Sequence, residues 1–399
     1  MTELAIHGGS PVRKEFLPYG HQTIDNKDVK AVIDVLKSDY LTTGPAISLF
    51  ENKIKSYVGV DYAIAISNGT AALHAACFAA GIKEGDEVIV SSITFAASSN
   101  AVLYCGATPV FADIDPITYN IDPNSIRELI NDKTKAIVVV DYTGQPVDID
   151  EIMEIARRNN LIVIQDSAHS LGSEYKGEMI GKQADMTTFS FHPVKPITTA
   201  EGGMVVTNNI KYAELIRLFR SHGITRDEDQ LLNDVGPWYY EQQLLGYNYR
   251  MSDIQAILGV SQLEKIETFL SKRRKLAKLY NNLLENISGI TIPEEPEYSN
   301  SGWHIYVIKI DTKSTGLSRK FFFEALRAEN IGVNVHYIPV YLMPYYKELG
   351  YEAGLCPRAE AFYEDIITLP LHPGMTEDDV RDVTKAIKKI LSYGDVIDD

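Results

Sequence analysis

The sequence predicts an α/β protein, with a mostly parallel sheet packed between helices and a smaller α+β region after it. Between about residues 60 and 210, short β-branched runs alternate with segments of helical length, the pattern of a sheet covered on both faces. A long helical stretch then begins at Ser252 and breaks the alternation. The chain of 399 residues is also longer than the usual single domain. Together these divide it into a large domain, residues 1–251 with an N-terminal arm, and a bridging helix plus small domain, residues 252–399.

The expected strands of the large domain are Ala63–Ser67, Glu87–Ser91, Pro109–Asp113, Ala136–Asp141, Leu161–Gln165, Thr187–Phe191 and Met204–Thr207, with helices such as Thr70–Gly81 and Ile149–Asn159 between them. Ser252 is a plausible N-cap for a helix reaching about Asn286, with apolar residues three and four apart. Strands are expected near Trp303–Ile310 and Gly332–His336, and a helix near Ser318–Asn330. Thr376-Glu377-Asp378-Asp379 opens a last helix with a capping pattern. The acidic end, Asp395 to Asp399, reads as a frayed tail.

Composition is that of an ordinary globular protein, and the net charge of −16 argues against nucleic acid as a partner. The one basic run, Lys272-Arg273-Arg274-Lys275, reads as a solvated helix face. Three cysteines, Cys77, Cys105 and Cys356, fit no metal spacing and read as thiols in a reducing compartment. No signal peptide is evident, and no apolar run approaches the roughly 20 residues that span a bilayer. A cytoplasmic location, without membrane contact, is the expectation.

Ligands of such sheets bind beyond the carboxyl ends of the strands, so residues there carry the functional reading. Ser67-Asn68-Gly69-Thr70 follows the first strand and opens an Ala-rich helix. Free N–H groups at a helix start suit a phosphate, although a purely structural turn explains the segment equally well. The dinucleotide GxGxxG and the GxxxxGK[ST] phosphate loop are both absent. Asp166 closes a buried strand, where an acid needs a cation or hydrogen bonds; a pyridinium nitrogen is one such partner and a capped turn another. Lys195 sits between Pro193 and Pro196, which stiffen its backbone, and a rigidly held lysine suits covalent chemistry on a carbonyl. Ser190 could add a hydroxyl to the same phosphate. Phe95 reads either as core or as a ring contact.

In this order, phosphate turn, aromatic, aspartate and lysine, the chain resembles the sugar-nucleotide aminotransferases of the DegT–StrS group. Gly8-Gly9-Ser10-Pro11-Val12-Arg13, Leu41-Thr42-Thr43-Gly44-Pro45 and His336-Tyr337-Ile338-Pro339 extend the match almost end to end. Ser190–Glu201 and His222-Gly223 look most like members of the pseudaminic acid pathway. The resemblance implies fold type I of the pyridoxal 5′-phosphate (PLP) enzymes, and a homodimer with composite sites.

The same resemblance implies that Lys195 forms the Schiff base and Asp166 pairs with the pyridine nitrogen. Phe95 stacks on the ring, Gly69, Thr70 and Ser190 hold the phosphate, and His169 lies near the phenolic oxygen. Asn248 reaches the phosphate from a neighbouring subunit. Thr42, Gly44, His336, Tyr337 and Tyr341 are substrate candidates, with His336 equally readable as a core histidine. An anionic diphosphate in an acidic protein needs cations, for which Arg226 and Arg220 are candidates. Trp238-Tyr239-Tyr240 fits an interface, a substrate wall or plain packing.

The activity implied is transfer of the amino group of L-glutamate to C4 of a UDP-linked 4-keto-6-deoxy-N-acetylhexosamine, with a dTDP- or GDP-linked keto sugar as the alternative. A non-catalytic PLP-binding regulator is the reading from another class, and the charge opposes a DNA-binding role. Some relatives carry histidine in place of the lysine and act as dehydratases; here the lysine is present. Two departures stand out: Val140-Asp141-Tyr142-Thr143-Gly144-Gln145 lacks the histidine common in the group, and Ala200 stands where glycine is frequent.

Overall fold

The computed structural model describes residues 3–233 and 236–394; the tail expected at Asp395–Asp399 lies outside them. Seven strands form the main sheet: β1 (Tyr62–Ile66), β2 (Glu87–Ser91), β3 (Thr108–Ala112), β4 (Thr134–Val140), β5 (Ile162–Asp166), β6 (Met186–Ser190) and β7 (Gly203–Thr207). Their spatial order is β1-β7-β6-β5-β4-β2-β3. Only β7 runs against its neighbours, pairing antiparallel with both β1 and β6.

Alternate residues of these strands enter two separate cores, which is the period-two signature of a sheet buried on both faces. Ala63, Ala65, Ile137, Val139, Met204 and Val206 belong to one; Ile64, Ile66, Ala136, Val138 and Val205 belong to the other. The first is covered by α1 (Pro45–Val58), α2 (Ile149–Arg158) and α3 (Asp253–Leu263), which contribute Phe50, Ile54, Ile152 and Ala256. The second is covered by α4 (Gly69–Ala79), α5 (Ala97–Tyr104) and α6 (Ile210–Phe219).

The helical stretch expected from Ser252 to about Asn286 is two helices, α3 and α7 (Ile266–Leu284). Ser252 and Gln255 form the capping box at its start. The two helices meet at Glu264-Lys265, beside a buried carboxylate. Asp28, fully buried, accepts Ser261 Oγ at 2.6 Å, Gln262 Nε2 at 2.8 Å and Lys265 Nζ at 2.5 Å.

A third core lies in the C-terminal region. It joins Leu276, Tyr280 and Leu284 of α7 to a three-stranded sheet, β8 (Ile290–Thr291), β9 (Tyr306–Ile310) and β10 (Ile366–Leu369). The helices α8 (Arg319–Ala328) and α9 (Glu377–Gly394) pack on it. Ser318 caps α8, and Thr376 with Asp379 caps α9 by reciprocal hydrogen bonds. The strand expected at Gly332–His336 is not formed. Its backbone pairs with two different neighbours, Gly332 N–H donating to Leu17 O and Asn334 bridging to Thr368, so no ladder develops. No helix among the described residues is long and apolar enough to cross a membrane.

The solvated face expected at Lys272–Lys275 is only half right. Arg273 is fully buried on α7 and donates to the carbonyls of Trp303, His304 and Leu371 at 3.3, 2.9 and 2.8 Å. Arg274 donates to Ser301 O and Gly172 O. These two cations tie the bridging helix to the segment before β9.

Candidate functional site

The carboxyl ends of the parallel strands converge on one cavity of about 800 Å³, towards the upper end of small-molecule sites. After β1, Asn68 caps α4: its side chain accepts from Ala71 N–H at 2.8 Å and its carbonyl from Ala72 N–H at 3.1 Å. The earlier N–H groups, of Gly69 and Thr70, are left for a ligand. Gly69 must lack a side chain, since a Cβ there would stand 2.9 Å from Ser190 Cβ. Gly203, at the start of β7, is tighter still; its Cβ would meet the Asn68 carbonyl oxygen at 2.4 Å. Two strand ends and a helix start are thereby drawn together.

Asp166 is the last residue of β5 and is buried. Its Oδ2 accepts from Ser98 Oγ at 2.6 Å and its Oδ1 from Ala168 N–H at 3.2 Å. Burial raises its proton affinity, opposed by those two hydrogen bonds and by Lys195. Lys195 follows β6 in a turn closed by its N–H to His192 O at 2.9 Å. Burial pulls its ammonium down to about 8, with Asp166 resisting. Ala200, five residues on, has φ of +65°, the left-handed region in which glycine costs least.

The opposite wall comes from the C-terminal region. Tyr337 OH lies 3.2 Å from His169 Nε2, and His336 Nδ1 lies 2.9 Å from Thr368 Oγ1. The rings of His169 and His304 are 4.4 Å apart between centroids. Burial is the first cause holding His169 and His304 well below ordinary histidine and His336 down to about 4. All three imidazoles are therefore neutral at physiological pH. His169 Nδ1 and His304 Nδ1 are buried without a hydrogen-bond partner. Phe95 is 62% exposed, an unusual exposure for a phenylalanine, and it faces this cavity with its ring 6.2 Å from that of Tyr337.

Gly69, Thr70, Phe95, Asp166, His169, Ser190, Lys195, His336 and Tyr337 thus line one space. Other candidates lie elsewhere. Tyr341 is fully buried, gives its hydroxyl to Glu360 Oε1 at 2.6 Å and packs on Phe111, so it belongs to the core and not to the cavity wall. Gly44 caps α1 and donates to Asp253 Oδ2, while Thr42 bridges Ser252. Arg220 is paired with Glu51 at 2.5 Å and donates to Ala65 O, which removes it as a free cation. Arg226 is exposed and stands over the Tyr240 ring at 5.6 Å. Asn248 is exposed on a segment that bridges Ser221. Sequence reasoning overlooked Thr94, Ser98 and His304. The first two flank Phe95 at helical spacing, a signal that could have found them.

The sequence pattern of the DegT/DnrJ/EryC1/StrS aminotransferase family matches residues 22–388. An uncharacterized protein of Methanocaldococcus jannaschii is 45% identical over 96% of this chain and 99% of its own. The UDP-4-amino-4,6-dideoxy-N-acetyl-beta-L-altrosamine transaminase of Campylobacter jejuni is 39% identical, over 94% of this chain and 97% of its own. Among solved structures, Helicobacter pylori PseC, an aminotransferase involved in the biosynthesis of pseudoaminic acid, superposes with a TM-score of 0.88 at 34% identity, covering 95% of this chain and all of its own. The PLP form of a putative sugar aminotransferase from Streptococcus pneumoniae does so at 0.88 and 30% identity, covering 95% and 99%.

Proposed function

The chain belongs to the DegT/DnrJ/EryC1/StrS aminotransferase family and has the fold of its PLP-dependent members, and on that premise we propose its substrates and the roles of its residues. The reaction is transfer of the amino group of L-glutamate to C4 of a UDP-linked 4-keto-6-deoxy-N-acetylhexosamine, giving a UDP-4-amino sugar and 2-oxoglutarate. The observation that carries this reading is the meeting of Lys195, Asp166, Ser190 and the start of α4 in one cavity.

The residues present fit the cofactor. The N–H groups of Gly69 and Thr70, with the Ser190 hydroxyl, offer donors to a phosphate at a helix start. The Asp166 carboxylate, buried and in no salt bridge among the described residues, suits a protonated ring nitrogen. Phe95 offers an apolar face to a ring. When bound, the cofactor supplies an electron sink for the charge left as a proton leaves the substrate α-carbon.

The protein's own work is to position and to move protons. Lys195, lowered to about 8, has an appreciable neutral fraction near pH 7, so its amine can bond the cofactor aldehyde. As a free amine it would take up the proton from the substrate α-carbon as base and give it back as acid. Neutral His169, held by Tyr337, can hydrogen-bond the ring oxygen.

Lys195 is the one lysine or arginine among the described residues lining the cavity. Carboxylate and diphosphate therefore need cations from elsewhere. A homodimer that brings the exposed Arg226 and Asn248 of one subunit to the cavity of the other supports that need. Within each subunit we assign residues 1–251 to cofactor binding and 252–399 to the wall closing over the substrate.

The test is spectroscopic. Glutamate should bleach the absorption of the enzyme-bound cofactor, and the UDP-linked 4-keto sugar should restore it. Restoration by a dTDP- or GDP-linked sugar alone would overturn the nucleotide assignment and leave the transaminase reading intact. No response to glutamate would overturn the amino-donor assignment.

A further inference from the structure

We propose that Ser98, itself oriented by Thr94, is the positioning residue that turns the Asp166 carboxylate toward the cavity and keeps it charged. The inference rests on reading Asp166 as the partner of the cofactor's ring nitrogen, and it concerns how the protein maintains that partner.

Among the described residues, Asp166 has two protein donors. Ser98 Oγ, 2.6 Å from Oδ2, is the only side chain among them; the other is the Ala168 N–H at 3.2 Å. A separation of 2.6 Å falls within the range of a hydroxyl bonded to an ionised acceptor. Ser98 is fully buried and sits in the first turn of α5, so neither water nor another rotamer offers an easy substitute.

Thr94 completes the arrangement. Its Oγ1 lies 2.6 Å from Ser98 Oγ. A serine hydroxyl has one proton. With that proton given to Asp166, the contact between the two hydroxyls is satisfied only if Thr94 donates to Ser98. Proton direction is then fixed along the whole chain, Thr94 to Ser98 to Asp166, and each bond polarises the next. The line ends on Oδ2. Oδ1, held only by the longer Ala168 contact, keeps acceptor capacity for a ligand.

The arrangement answers a specific chemical problem. A carboxylate at a buried strand end tends to take up a proton, and a protonated Asp166 could not hold a proton on a ring nitrogen. One short, charge-assisted hydrogen bond opposes that tendency without placing a competing cation in the site. Thr94 and Ser98 are four residues apart and flank Phe95, so one turn of chain supplies both the ring-facing aromatic and the carboxylate's support.

The experiment is infrared difference titration of the cofactor-free protein, following the carboxylic-acid carbonyl band that Asp166→Asn removes. Ser98→Ala should raise the midpoint of that band by roughly one to two pH units, the shift matching loss of one hydrogen bond to a charged group. Thr94→Val should raise it less, and Ser98→Thr should return it toward the parent value.

PLP affinity, measured by absorbance, should fall about tenfold or more in Ser98→Ala and recover in Ser98→Thr. An unshifted midpoint in a folded Ser98→Ala protein overturns the proposal, whatever happens to cofactor binding. A shifted midpoint with unchanged PLP affinity would instead remove Asp166 from cofactor binding while leaving its dependence on Ser98 in place. Should Ser98→Thr fail to fold, the Thr94→Val midpoint decides, and no shift there removes Thr94 from the relay.

Discussion

The Tyr337 hydroxyl lies 3.2 Å from Nε2 of His169, joining the C-terminal wall of the cavity to the loop that follows β5. The imidazole is held neutral by burial, so this is a bond between uncharged groups. Tyr337→Phe should therefore cost about 1 kcal/mol, roughly fivefold in kcat/KM. PLP affinity should stay close to that of the parent, because Asp166 and the donors proposed for the phosphate are untouched. Steady-state kinetics beside a PLP titration checks both; a loss of a hundredfold or more would mean that the hydroxyl itself takes part in proton transfer.

Lys195 should titrate apart from every surface lysine. Burial lowers its ammonium to about 8, against roughly 10.4 for an exposed lysine. In cofactor-free protein, labelling by an amine-selective reagent followed by peptide mapping should give a midpoint near 8 at this position. The sign for stability follows. Between about 8 and 10.5 the unfolded chain binds the proton and the folded one does not, so stability from this group rises with pH across that window. It is fully present above the unfolded value and lost as pH falls through 8. Lys195→Met should remove that slope from a denaturation series.

Arg273 is a buried cation held by three carbonyl oxygens, and burial lowers its own proton affinity to about 10. Arg273→Met leaves those carbonyls without their donor. We expect a loss of about 3 kcal/mol or more, from the cost of unsatisfied buried groups. Arg273→Lys should recover only part, because an ammonium does not reproduce the planar fork. Urea denaturation midpoints measure this, and a shift below about 0.5 kcal/mol, the size of an ordinary surface substitution, would contradict the account.

Two small residues near the strand ends should respond oppositely to substitution. A Cβ on Gly203 meets the Asn68 carbonyl oxygen at 2.4 Å, so Gly203→Ala should push β7 from the start of α4 and weaken PLP binding along with stability. Ala200 holds φ of +65°. Relief of that strain, offset by the greater freedom of glycine when unfolded, should make Ala200→Gly more stable by about 0.5–1 kcal/mol. Thermal unfolding of both variants tests the pair.

Much of the large sheet is legible in the sequence, because both of its faces are buried and its strands read as apolar runs ending in informative residues. Asp166 and Ser190 each close such a run. The segment Gly332–His336 reads as a strand for the same reason, yet its hydrogen bonds are shared between Leu17 and Thr368. Composition cannot reveal that division. Arg273 is hidden by its neighbours: four basic residues in a row look solvated until the helix is seen wedged against the segment at Trp303–His304. The carboxylate that Ser261, Gln262 and Lys265 engage beside the break at Glu264-Lys265 belongs to Asp28, more than two hundred residues earlier, which no local pattern announces. Tyr341 follows the recognisable His336–Pro339 segment closely, but its hydroxyl turns to Glu360 within the core. Ser98 is an ordinary helical serine until the fold sets α5 beside the end of β5.

The account stands most directly on a covalent bond between PLP and the Lys195 amine. Borohydride reduction of the holoenzyme, followed by proteolysis and mass spectrometry, should place the pyridoxyl group on the peptide carrying Lys195, and Lys195→Ala should yield no such adduct and no turnover. Recovery of the label on another lysine, or sustained amino transfer by Lys195→Ala without added amine, would contradict it.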